Sequence, residues 1–403
     1  MEQTTNELSV AKDTTHKLLA YCQANDWAGY DPYDALNSRV FKALPFLDFK
    51  IARLILTQGV KRCPINLRPL LLVPRTANPK GIALFLSALT KLSRMGLVDE
   101  PRIVGELADK LLALRSPDTR YYCWGYNFDW QTRTKLVPEG FPNIICSTFA
   151  ANALLDAYEQ SRESAWLEAS VSAADFILDI LLWRPDASKT VFTYTQLEKA
   201  EIHNANLLGS ALLCRIGRLT GQARFREPAL AAARYSVGRQ HPDGSWDYGE
   251  LPSQRWIDNF HTGFNLVALK RISDYGKTAE FDGAIHKGLE FYKTHFFRAD
   301  GAPKYFHNAV YPIDIHSVSQ SIITLVAFED AAGEHMKIAQ SALKWALANM
   351  WDVRGYFYFQ ALPNYKIRIP FMRWSQAWML LALATMLEAT ISPAAFHSIS
   401  SQV

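Results

Sequence analysis

The chain lacks most of the short signatures that announce a reaction. It has no HExxH or other metal-ligand spacing, no P-loop, no GxGxxG after a strand and no GxSxG elbow. Zinc hydrolysis, nucleotide-phosphate binding, dinucleotide binding and a serine-hydrolase site are set aside, and no cofactor or metal is expected. Cysteine is sparse: five residues, widely scattered, with no CxxC pair. That count argues against a disulfide framework and for a reducing compartment. No apolar run approaches the ~20 residues of a membrane span, the longest being Ala377 to Leu387. The opening MEQTTNELSVAKDTTHKLL has no stretch of signal-peptide length, so a cytoplasmic protein is expected. Net charge is small, +4 over 403 residues, which argues against general nucleic-acid affinity.

What the chain does have is an internal repeat of about 55 residues. Side-chain amides at Asn152, Asn206, Asn265, Gln320 and Gln376 stand near the starts of apolar helical runs. A second series, Asp118, Asp186, Asp243, Asp300 and Asp352, precedes aromatic-rich loops. Apolar helices alternating with amphipathic ones describe buried and peripheral layers. The architecture this predicts is all-α, an (α/α)6 toroid with aromatic loops and short hairpins on one face. The toroid is expected over 81–390, after an N-terminal extension (1–80) and before a tail (391–403). The sixth outer helix is expected from Phe41–Val60. All outer-to-inner loops then open on one face, as a funnel walled by aromatic side chains.

Four loop clusters carry the ionisable groups. QHPDGSWDYGELPSQRWIDNFH holds Trp246, Asp247, Tyr248, Trp256, Asp258 and His261. CWGYNFDW holds Trp124, Tyr126, Asn127 and Asp129; KYFHNAVYPIDIHSVSQ holds Tyr311, Asp314 and His316; YFYFQALPNYKIRIPFMRWSQ holds Tyr358 and Arg373. Flat rings beside carboxylates suit sugars, whose C–H faces lie on aromatics while hydroxyls bond the acids. The expected catalytic set is Asp247, Asp258, His261, Asp314, His316 and Tyr358. Substrate binding is assigned to Trp124, Tyr126, Asn127, Asp129, His203, Asn206, Trp246, Tyr248, Trp256, Tyr311 and Arg373. Two chemistries stay open. Glycoside hydrolysis would use two carboxylates, and proton abstraction beside a uronate carboxylate, in a lyase or C5-epimerase, would use His or Tyr.

With DGSWDYGE and RWIDNFHTG in its loops, the chain resembles the six-hairpin glycosidase-like superfamily of (α/α)6 toroids. GYDPYDALNS, RPLLLVPRTANPKGIALFLSAL, HPDGSWDYGE and IDNFHTGFNL look like proteins of bacterial exopolysaccharide and capsule biosynthesis clusters. The resemblance implies an enzyme modifying an oligo- or polysaccharide, free or lipid-linked, or a non-catalytic glycan-binding or scaffold protein. Gln240 to Trp246 is also similar to the QxxDGSW repeat of terpene cyclases and prenyltransferases, which here occurs once. From Ala35 to Lys80 nine Lys and Arg face the single acid Asp48. The segment 41–62, aromatic and basic, reads either as the ring-closing helix or as a contact with an anionic membrane.

Overall fold

The computed structural model describes residues 2–98, 101–132, 135–186, 189–329 and 332–391. Six helices form an inner ring: α4 (Pro79–Arg94), α6 (Ile144–Ser161), α8 (His203–Thr220), α10 (Asn259–Gly276), α12 (Ile315–Ala327) and α14 (Trp378–Ile391). Each packs on the next and α14 returns to α4, which closes the ring. An outer layer is made by α5 (Pro101–Ala113), α7 (Ser164–Phe176), α9 (Arg226–Val237), α11 (Asp282–His295) and α13 (Glu334–Met350), each packed on the inner helix before it. The protein is an (α/α)6 toroid. The alternation follows from composition. Almost every residue of α4 from Pro79 to Leu92 is buried, whereas α11 buries one stripe, Ala284, Gly288, Phe291 and Tyr292.

The ring is completed otherwise than expected. α1 (Glu2–Ala24) packs along α14 and is the sixth outer helix. α2 (Arg39–Lys42) and α3 (Lys50–Arg62), the segment expected to close the ring, instead sit on the loop at 34–37 and on the strand at Trp130–Gln131. The reason is visible in the surfaces. α1 buries Ala11, Leu18, Leu19 and Cys22, an apolar stripe at helical spacing, while α3 buries Val60 alone. After Ile391 the expected tail lies outside the described residues.

All inner helices start at the same end, and side chains cap four of them. Asn78 accepts from the Lys80 and Gly81 amides, Asn143 from Cys146, Asp258 from His261 and Asp314 from His316. Short antiparallel ladders tie the loops around this end. Ile313 pairs with Ala361, and Gln360 in turn with Ile367, so neighbouring hairpins are laced together. Two repeat amides do similar work: Asn206 accepts from the Phe192 amide, and Gln376 both accepts from and donates to the backbone of Phe357. At Gly263 the inner helices approach so closely that a Cβ would lie 2.6 Å from Thr324 Oγ1.

Candidate functional site

The capped ends of the inner helices surround a cavity of about 370 Å3, at the small end of ligand-binding sites. Its walls are rings. Tyr126 stacks on Phe128 (5.2 Å between centroids), with Trp130 edge-on to Tyr126. Tyr248 stacks on Trp256 at 4.5 Å. Tyr33, Tyr194, Tyr305 and Trp374 complete the wall. Burial raises the phenols of Tyr126, Tyr194, Tyr248 and Tyr305 far above their ordinary pKa, so they present hydroxyls rather than charge.

Asp258 organises one side. Its Oδ1 accepts from the His261 amide (2.9 Å) and so starts α10. Its Oδ2 meets His261 Nδ1 at 2.7 Å and accepts from the Trp256 indole N–H at 2.9 Å. A carboxylate there favours the tautomer with the proton on Nδ1, leaving Nε2 as the basic nitrogen. Nε2 has no partner among the described residues, and the ring lines the cavity.

His316 lies deeper, between Phe260 and Trp378, each 4.5 Å from its ring centroid. Neither of its nitrogens has a hydrogen-bond partner among the described residues. Burial, then the positive charge of Lys80, Arg373 and His261, holds its pKa well below the usual imidazole range. His316 is therefore a neutral ring with an unused donor and acceptor. A dry polar group of this kind is costly unless a ligand or water satisfies it.

Lys80 forms part of the floor. Its ammonium stands over Phe149 (4.4 Å to the centroid), Trp378 (5.1 Å) and Phe264 (5.5 Å). Beside it Arg373 is held by Asp31 through Nε (2.6 Å) and Nη2 (2.8 Å).

Of the residues singled out from the sequence, Tyr126, Tyr248, Trp256, Asp258, His261, His316 and Arg373 line this cavity. The others stand elsewhere. Trp124 and Trp246 are core residues whose indoles donate to Leu111 O and Ser236 O. His203 is buried between Ser236 and Glu250, and Asn206 clamps Phe192, Ala232 and Ser236. Asp314 sits behind the wall, where it caps α12 and holds the Trp374 indole and Gln360; burial pushes its carboxyl up to about 6. Tyr358 donates to Asp352 outside the cavity, and Asp247 faces His241 at 3.7 Å. Asn127 bonds Thr76, Asp129 accepts from the Glu139 amide, and Tyr311 is exposed. Asp243 to Trp246 is a turn: Asp243 accepts from Ser245, and Gly244 has φ 93°. The floor carries basic groups rather than the central acid that a terpene cyclase would need.

Sequence reasoning missed Lys80, Tyr33, Tyr194, Phe260, Phe264 and Trp374. Lys80 had a signal, a lysine in the first turn of an otherwise apolar helix, PKGIALFL.

No family model matches the chain, and no curated protein matches its sequence. Solved structures do match in fold. An unsaturated glucuronyl hydrolase specific for heparin superposes with TM-score 0.62 at 11% identity, covering 96% of this chain and 98% of its own. Cellobiose 2-epimerase from Bacillus thermoamylovorans gives 0.60 at 11% identity, covering 76% and 87%. The GH76 α-mannanase from Bacteroides thetaiotaomicron gives 0.57 at 13% identity, covering 80% and 88%. The likeness is one of architecture: the chain has the (α/α)6 toroid of these carbohydrate-active proteins.

Proposed function

We propose that the cavity takes a sugar unit of an oligo- or polysaccharide and moves a proton at it. His261 Nε2, left without a proton by the bond that Nδ1 makes to Asp258, removes a proton from the carbon beside a carbonyl or carboxylate. The neutral His316 ring donates to the oxygen on which negative charge develops. Delivering a proton to the opposite face of that carbon gives epimerisation, and expelling the group on the next carbon gives elimination. The observation that carries this reading is the Asp258–His261 pair facing the same cavity as an unpartnered His316. Hydrolysis by two carboxylates is less well supported. Among the described residues Asp258 is the sole acid lining the cavity, and both its oxygens are engaged.

The test is solvent-deuterium incorporation at the sugar carbon. Incorporation that Asp258→Asn and His261→Gln abolish supports the reading. Binding of sugars with no exchange in any of them would favour the non-catalytic glycan-binding alternative.

The setting we propose is surface-polysaccharide biosynthesis, on the resemblance carried by GYDPYDALNS and IDNFHTGFNL, with a lipid-linked glycan as substrate. Its support is the face around α3. Phe46 (73% exposed), Phe49, Ile51, Ile55 (68%), Ile65 and Leu70 (77%) are unpartnered apolar side chains in the segment richest in Lys and Arg. Exposed apolar side chains in a segment of net positive charge fit an anionic membrane and disfavour a second copy, which would bring like charges together. Co-sedimentation with phosphatidylglycerol vesicles but not phosphatidylcholine vesicles, lost on Phe46→Ser with Ile55→Ser, checks this. Equal partition with both, or concentration-dependent dimerisation through the face, overturns it. Among the described residues no helix is long and apolar enough to cross a membrane.

A further inference from the structure

Four Lys or Arg side chains are buried among the described residues: Arg68, Lys80, Arg215 and Arg373. Three have carboxylate partners. Arg68 pairs with Asp34 at 2.6 Å, Arg215 with Asp156 and Glu159 at 2.8 and 2.9 Å, and Arg373 with Asp31. Lys80 is the exception. It is 4% exposed, and its ammonium has no hydrogen-bond acceptor or acid within salt-bridge distance among the described residues. A buried charge of this kind carries an uncompensated desolvation cost. The three rings around it offset part of that cost.

Among the described residues the nearby acids are engaged elsewhere, Asp31 with Arg373. Asp258 is committed to His261, Trp256 and the start of α10. Arg373 is adjacent, since a Cβ on Gly81 would lie 3.3 Å from Arg373 Cβ. With Nε and Nη2 taken by Asp31, its Nη1 has no acceptor among the described residues while the residue lines the cavity. The inner helices also point their N-terminal ends at this space, and such ends favour negative charge.

Resting on the sugar reading above, we infer that the sugar is acidic, its carboxylate held between Lys80 Nζ and Arg373 Nη1. The carboxylate provides the missing partner for Lys80. It also acidifies the neighbouring C–H that His261 would deprotonate. Burial, followed by the charge of Arg373, draws the free ammonium down to about 7, so a bound anion also raises its proton affinity.

Equilibrium binding of methyl β-D-glucuronide against methyl β-D-glucoside, neither of which has a free aldehyde, tests this without turnover. The intact protein should prefer the glucuronide by about tenfold or more, a charge-assisted bond's share of affinity. Lys80→Met and Lys80→Gln, verified as folded by circular dichroism, should bring the preference to about twofold or less. Equal binding of the two glycosides, absence of binding by both, or a preference that survives both substitutions overturns the inference. Borohydride trapping of a sugar aldehyde on Lys80 also overturns it, since the amine would then act as a nucleophile. The two proposals fail separately. Anion preference with deuterium exchange unaffected by Asp258→Asn removes the proton-transfer reading alone. Exchange that depends on Asp258 without anion preference removes this inference alone.

Discussion

The two ends of the barrel are built from the same six helices and treat charge in opposite ways. At the end where the inner helices finish, a second cavity of about 220 Å3 is ringed by ionic side chains, most of which pair with one another. Lys91 and Arg94 share Glu388, Lys270 pairs with Asp274, and Arg215 is gripped by Asp156, Glu159 and the Asn152 amide oxygen. Arg215 lowers the Asp156 carboxyl against the opposing effect of burial. At the end where the helices begin, among the described residues, both His316 nitrogens are buried without a partner, and the ammonium of Lys80, 4% exposed, meets aromatic rings rather than an acid. The paired end contributes to the stability of the ring. The unpaired end carries a desolvation cost that its neighbours offset only in part. Location alone does not make this difference, since both ends are concave and charged. The marker of a site is the absence of internal compensation.

Substitutions can break or sharpen this contrast. The largest effect is expected from Asp258→Asn, which keeps an oxygen for the helix start but removes the charge that orients His261. Exchange at the sugar carbon should fall about 10³-fold, measured as kcat, with a modestly lowered melting temperature, since an amide nitrogen cannot accept from the Trp256 indole as Oδ2 does. Next comes the paired end. Arg215→Ala leaves two carboxylates without their cation and should destabilise the protein by about 3 kcal/mol in urea unfolding, with glycoside binding unaffected. Lys80→Met should do the reverse, raising the stability of the ligand-free protein by about 1 kcal/mol or more at pH 6.

The same lysine makes the contrast depend on pH. Its folded pKa of about 7 lies below the ordinary 10.5, lowered by burial and by Arg373, with Cys146 and Asp31 acting in the opposite sense and His316 nearby. Between these values the unfolded chain binds more protons. Wild-type stability should therefore rise as pH climbs from 7 toward 10, and Lys80→Met should remove that rise. Thermal melts across this window read it directly. The smallest effect is expected from Tyr358→Phe, which deletes one bond to Asp352 at the protein surface. About 0.5–1 kcal/mol of stability should be lost, with deuterium exchange unchanged.

The ring was legible in the sequence because burial writes a period: each inner helix repeats small and apolar residues behind an amide or acid. The closing helix was not. α1 carries its apolar stripe thinly, at Ala11, Leu18, Leu19 and Cys22, among many polar residues, while the richer Phe41–Val60 looked more like a structural helix. Asp258, His261 and His316 could be placed because they precede or open repeats, where side chains point into the mouth. His203 stands three residues before its repeat amide, where His261 and His316 stand four before theirs, and Ser236 and Glu250 absorb it. Sequence position gives direction; it does not reveal which neighbours already occupy the space. Trp124 and Trp246 were misread for the same reason, since a tryptophan in an aromatic loop looks alike whether its indole meets a ligand or a backbone carbonyl.

Asp258 has a further consequence. One carboxylate both fixes where α10 begins and sets the orientation of the imidazole one turn on. Fraying of that first turn would misalign the base in the same event. Lengthening the side chain by one methylene, as in Asp258→Glu, would shift both at once. Helix registry and imidazole orientation are mechanically linked here, so variation in this lineage should retune the cavity from its aromatic walls while this corner stays fixed.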